Sequence, residues 1–208
     1  NEGVLSLLLV DVSRSLDTAQ FARIKQALRD WINALGEHDQ AALLTFGDQV
    51  QTQVLPTADR TALLAAIETL AATDAHTALH QALAQGLALG RQQGAELPSR
   101  RALVILSDGL DDAPGGMTAE EVEVQLAKEG AVPIYAIGFS GVRERTQRLA
   151  GLAALVRWAR HSGGLFTATH DTVLEQSFAA MRERIRAVDR MDLRCVSCVA
   201  DGNRYRLR

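Results

Sequence analysis

The stretch LLLVDVSRSLD, residues 7–17, carries four apolar residues into an aspartate and then offers hydroxyls at alternate positions, Ser13 and Ser15. With the preceding VLS it makes a continuous apolar run from Val4 to Val10. Such a run reads as a strand covered on both faces, as in a parallel sheet flanked by helices. One carboxylate and two alcohols at the exit of a buried strand form a poor catalytic set. They are a good set of oxygen donors for a small hard cation. Read alone, the same residues also suit a helix-capping loop, because Asp and Ser are the usual caps at such a junction.

Working outward, the chain alternates strand and helix signals. Phe21, Ile24, Leu28, Trp31, Ile32 and Leu35 recur at spacings of three and four, which predicts a helix from Asp17 to Leu35 that stops at Gly36. AALLTFG (41–47) and VQTQVLP (50–56) read as two strands around Gly47 and Asp48, so a hairpin and one antiparallel edge are expected. A helix over 59–70 and another from Thr77 follow. ALVILSDG (102–109) is again a doubly buried strand, ending in Ser107 and Asp108. A helix from about Thr118 to Glu129, the strand VPIYAIGF, a helix through LAALVRWARHSG, the strand GLFTAT and a helix from Asp171 to about Arg186 complete the pattern. The fold class expected is α/β: a Rossmann-like, open, mostly parallel sheet with one antiparallel edge strand and helices on both faces. MDLRCVSCV and RYRLR, flanking the turn signal ADGN, predict an appended C-terminal β-hairpin.

Composition narrows the function classes. A net charge of −3 over 208 residues argues against nucleic acid as the main partner, which normally meets a basic face. No apolar run approaches the roughly 20 residues of a membrane span, and the start lacks the basic opening of a signal peptide, so the sequence reads as an excised fragment. Only Lys25 and Lys128 are lysines, a bias that points to a GC-rich bacterial source. His76, His80 and His161 show no zinc spacing with a third ligand. Cys195 and Cys198 are free thiols, a local disulfide or half of a zinc knuckle; residues three apart on a regular strand face opposite ways, which disfavours the disulfide.

In an open parallel sheet, ligands bind beyond the carboxyl ends of the strands where the strand order reverses. Asp11 and Asp108 each leave one of the two most buried strands, so they are expected side by side there. Two carboxylates so placed repel unless a cation or a proton lies between them. Thr77, at the start of a helix, is placed to add a third contribution, with Thr73 as a rival.

DVSRS, HTALHQAL and LVILSDG together resemble the Asp-x-Ser-x-Ser, threonine and second-aspartate segments of von Willebrand factor type A (VWA) domains, in that family's order and usual spacing. The resemblance covers about residues 3–187, which assigns 1–188 to a VWA-like domain and 189–208 to the hairpin or the start of a truncated further domain. It implies a metal-ion-dependent adhesion site (MIDAS), with Ser13, Ser15 and Thr77 as hydroxyl ligands and Asp11 and Asp108 as carboxylates around Mg²⁺ or Mn²⁺. It also implies a non-enzymatic binding module that captures an acidic residue of a partner protein. Arg14, His76 and Asp111 are the candidate partner-facing residues. His76 stands where the family commonly has Gly, which questions the loop's backbone shape, and Asp111 and Asp112 crowd the site with negative charge. A Mg²⁺-dependent phosphohydrolase using Asp11 is the enzymatic alternative, but it would want a second carboxylate at position 13 and a nearby lysine. An adaptor with a vestigial site is the third reading. The compartment stays open, with an extracytoplasmic or cell-envelope location favoured over the cytoplasm.

Overall fold

The computed structural model describes residues 3–128, 132–139, 145–170 and 173–187, with backbone alone for 145–148. The expected C-terminal hairpin, with Cys195 and Cys198, lies outside the described residues. The elements run β1 (Val4–Asp11), α1 (Thr18–Asn33), β2 (Gln40–Phe46), β3 (Val50–Thr57), α2 (Arg60–Thr69), α3 (Leu79–Gly90), β4 (Arg100–Ser107), α4 (Ala119–Leu126), β5 (Ile134–Phe139), α5 (Arg145–His161), β6 (Leu165–Thr169) and α6 (Leu174–Arg186). Among the described residues the strands form one sheet in the order β3-β2-β1-β4-β5-β6. The β3–β2 pairing is antiparallel and the others are parallel, so the expected mostly parallel sheet with one antiparallel edge is what the chain builds.

The central strands are apolar throughout because both faces are covered. Every residue of β1 is buried. Leu8 and Val10 pack with Trp31, Ile32, Phe178 and Met181, on the side of α1, α2 and α6. Leu5, Leu7 and Leu9 pack with Leu79, Leu83, Leu155 and Trp158, on the side of α3, α4 and α5. The period-two alternation of a strand divides one hydrophobic run between two cores. At ~1.5–3 kcal/mol for each fully buried aliphatic side chain, these faces dominate the stabilisation of the sheet.

α1 opens with a capping box: the Asp17 carboxylate accepts the Gln20 amide at 2.8 Å, and the Gln20 side chain accepts the Asp17 amide at 3.0 Å. Its apolar stripe of Phe21, Ile24, Leu28, Trp31 and Ile32 is buried, as the periodicity predicts. α3 departs from expectation. It begins at Leu79 rather than Thr77, with Ala78 as an N-cap that makes no side-chain bond. The preceding amides are claimed by other loops instead.

Strand order reverses between β1 and β4. From β1 the chain moves outward through β2 to β3, and from β4 outward through β5 to β6. The carboxyl ends of β1 and β4 therefore bound the crevice where such sheets bind ligands.

Candidate metal centre

The register of β1 on β4 pairs Val10 with Leu106, so Asp11 faces Ser107 and Asp108 stands one residue further on. Two aspartates nearly 100 residues apart in sequence thus leave neighbouring strands at the same level. Asp11, Ser15, Leu16, Leu106, Ser107, Asp108 and Phe139 line one small pocket. The β1–α1 turn folds back on itself: Asp11 Oδ1 accepts the Ser13 amide at 2.8 Å, and the Ser13 and Ser15 hydroxyls are 2.8 Å apart. Across the crevice, Asp108 Oδ1 accepts the Leu110 amide at 3.0 Å and the Ser107 hydroxyl accepts the Gly109 amide at 3.0 Å. Gly109 has φ of +83°, and any side chain there would collide with the Gly151 carbonyl of α5. Only glycine gives the turn after Asp108 both that dihedral and that proximity.

The electrostatics are those of neighbouring acids whose burial and mutual repulsion disfavour the charged forms. Asp11 is pushed up to about 6, chiefly by burial, with Asp108 and Asp112 adding repulsion; the Ser13 hydroxyl and amide pull it down in part. Asp108 is likewise raised, by burial first and by the charge of Asp112. A divalent cation would reverse the balance by making both carboxylates favourable as anions. Among the described residues no three His, Cys, Asp or Glu side chains gather as a metal cluster. The donors that do gather are hard oxygens, carboxylate and hydroxyl, which suit Mg²⁺ or Mn²⁺ better than a soft metal.

Four of the five expected ligands, Asp11, Ser13, Ser15 and Asp108, are thus together. Thr77 is buried at 8% exposure on the turn that enters α3, and is tied to Asp112, whose charge acts on both Asp11 and Asp108. Its amide donates to Asp112 Oδ1 at 2.7 Å, while its hydroxyl has no hydrogen-bond partner among the described residues. The rival Thr73 is exposed, and its hydroxyl donates to Asp74 Oδ1 at 3.2 Å. The 73–74 segment is nevertheless part of the architecture: Ser13 and Asp74 form an isolated parallel bridge, and the Thr73 and Asp74 amides both donate to the Val12 carbonyl.

The candidate partner-facing residues separate. Arg14 is exposed, with its Nε donating to the Thr73 carbonyl at 2.6 Å. His76 is half-buried; its amide donates to Asp48 Oδ1 at 2.8 Å, and its ring lies 3.8 Å from Asp112. Among the described residues none but glycine has positive φ, so the loop accommodates His76 in ordinary backbone geometry. Asp111 turns inward: its side chain is 10% exposed, and Oδ2 accepts the His80 amide at 2.7 Å. Helix geometry drives this, because the first amides of α3 need acceptors that Ala78 cannot supply.

Sequence reasoning placed Ser107 at a strand end without seeing that it shares the pocket with Asp11. It also left the work of Asp74 and of the 111–112 pair unread.

The family model of the von Willebrand factor type A domain matches residues 7–183. The chain belongs to that family. No curated protein matches it by sequence. Among solved structures, the VWA fold recurs in the vWF domain of the type V pilus tip protein Mfa5 from Porphyromonas gingivalis, with 12% identity, a TM-score of 0.73, and 93% of this chain and 98% of that one covered. An aerotolerance-related membrane protein from Bacteroides fragilis matches with 16% identity and a TM-score of 0.64, over 88% of this chain and 99% of that one. Proximal thread matrix protein 1 of the mussel byssus, solved with zinc in its MIDAS motif, shares 20% identity at a TM-score of 0.65, over 88% of this chain and 46% of its own. At these identities the likeness is one of fold.

Proposed function

We propose that this VWA domain is a metal-dependent protein-binding module, with Asp11, Ser13, Ser15, Thr77 and Asp108 holding a Mg²⁺ or Mn²⁺ ion at the carboxyl ends of β1 and β4. The observation that carries the reading is the convergence of Asp11 and Asp108, both raised by burial, in one pocket beside a pair of hydroxyls. Burying two carboxylates together is costly, and a fold retains such an arrangement most readily where a cation offsets it. The bound ion would supply an electrophilic position that a carboxylate of the partner completes.

Each residue then has a defined task. Asp11 and Asp108 provide the negative charge. The Ser13, Ser15 and Thr77 hydroxyls provide neutral oxygens, which leave the ion's charge incompletely offset and receptive to an acidic group. The Asp11–Ser13 bond holds the first loop in shape, and Gly109 lets the second approach α5. The phosphohydrolase alternative gains no support: position 13 is a serine, and Lys25 is spent on the carbonyls of Glu68 and Leu70 at the end of α2. We therefore read the domain as non-enzymatic. An envelope or extracellular setting is favoured, because related folds occur in a pilus tip protein and a membrane protein. No helix among the described residues is long and apolar enough to cross a membrane.

Isothermal titration with MgCl₂ and MnCl₂ tests the proposal. Saturable binding by the wild-type chain that is lost in Asp11→Ala, with an unchanged circular dichroism spectrum, is the expected result. Equal heats from the two proteins would overturn it.

A further inference from the structure

We propose that Asp111 and Asp112 are positioning residues of this centre: together they clasp the turn that carries Thr77 to the loop that carries Asp108. The inference rests on the metal-binding reading and extends it to residues outside the ligand set. A threonine just before a helix ordinarily spends its hydroxyl on its own helix, capping an amide two or three residues on. Here the helix start is served from outside. Asp112 Oδ1 accepts the Thr77 amide at 2.7 Å, the Asp112 amide returns a bond to the Thr77 carbonyl at 3.1 Å, and Asp111 Oδ2 accepts the His80 amide at 2.7 Å. The other side of the same turn is pinned to the β2–β3 loop, where the His76 amide donates to Asp48 Oδ1 at 2.8 Å and the Ala78 amide to the Gly47 carbonyl at 2.8 Å.

The amides of residues 76, 77, 78 and 80 thus all find acceptors on neighbouring loops. The turn is suspended between them, and the Thr77 hydroxyl is left unspent. The physical consequence is pre-organisation: the turn of Thr77 is held by protein contacts alone, and its position depends on where the 111–112 carboxylates stand relative to Asp108 three residues earlier. The two acids differ in setting. The Asp111 side chain is 10% exposed and that of Asp112 63%. Asp112 is therefore the member that can be altered with least risk to the fold.

Asp112 could act by charge, as a third carboxylate attracting a cation, or by geometry, as an acceptor in one place. Two substitutions separate these roles. Asp112→Asn keeps an oxygen at the Oδ1 position and removes the charge, whereas Asp112→Glu keeps the charge and moves the acceptor by a methylene. Titration with Mn²⁺ alone is expected to give Asp112→Asn an affinity within about threefold of wild type. Asp112→Glu should lose about 10- to 100-fold, the usual cost of disturbing a residue that orients a metal ligand. Combining Asp112→Glu with Thr77→Ala should lose no more than Thr77→Ala alone, because both act through one hydroxyl. The opposite order, with Glu retaining and Asn losing affinity, would overturn the clasp in favour of charge; equal affinities in all three proteins would overturn it with neither role left. Amide hydrogen exchange in EDTA gives a readout independent of any metal. The Thr77 amide should exchange faster in Asp112→Glu than in Asp112→Asn, and identical rates at Thr77 would refute the clasp. A wild type that binds no Mn²⁺ would instead defeat the metal-binding reading while leaving the exchange comparison to decide the clasp.

Discussion

At the amino-terminal ends of β1, β2 and β4, charged side chains are spent on backbone groups, whereas at the carboxyl ends of β1 and β4 two carboxylates share one pocket. At the amino-terminal end Asp39 accepts the amides of Val4 at 2.9 Å and Gly36 at 2.7 Å, with Arg186 at 3.5 Å. Arg60, Arg100 and Arg186 donate to carbonyls at the ends of α1 and α6. At the carboxyl end the buried Asp11 feels the charges of Asp108 and Asp112, and Arg14, the nearest cation in sequence, is committed to a loop carbonyl. The two ends belong to one sheet and differ in whether buried charge is balanced within the chain. Balanced charge serves the fold, and the unbalanced carboxylates mark where a ligand is expected.

The sharpest test of this contrast is to remove one acid from each end. Asp11→Ala should lower Mg²⁺ affinity by at least about 100-fold in calorimetry. Asp39→Ala should leave that affinity at the wild-type value. Equal effects on binding would erase the distinction.

The next test is pH. With a folded value of about 6 against 3.8, Asp11 makes the native chain bind more protons than the unfolded chain between those values. The contribution of Asp11 to metal-free stability should therefore be complete below pH 4 and lost as pH rises through 6, about 3 kcal/mol from this group alone. Denaturant melts in EDTA would show that slope, and Asp11→Asn should flatten it. Saturating Mg²⁺ should offset the loss at neutral pH, and Mg²⁺ affinity should decline as pH drops below 6.

At the other end, Asp39→Ala should destabilise the chain by about 2–3 kcal/mol, because two amides lose their acceptor. The cost should appear equally with and without Mg²⁺ in thermal melts. Arg186→Ala should have the smallest effect, about 1 kcal/mol, since it removes one exposed bond to the Ala34 carbonyl and one flank of Asp39. A metal-dependent response in either variant would show that the two ends are coupled.

How far the site could be read in advance varies residue by residue. Asp11 and Asp108 were legible because each ends an apolar run long enough to be a strand buried on both faces, and two such strands belong at the centre of a sheet. Ser13 and Ser15 were legible from spacing within a single loop. The start of α3 was misjudged by two residues because its capping groups, Asp111 and Asp112, lie more than 30 positions away, where no local rule looks. The bridge between Ser13 and Asp74 was hidden for the same reason, and so was the difference in burial between Thr73, exposed, and Thr77, buried.

By itself the sequence determined the alternation of elements, the two buried strands and the oxygen-rich turn after the first, since these follow from local periodicity and residue chemistry. The tertiary structure alone decided that β1 lies against β4 in the register that sets Asp11 opposite Ser107, and that the 111–112 carboxylates serve the helix of Thr77. Those are contacts between distant segments, and their geometry comes from how the sheet closes its core on both faces.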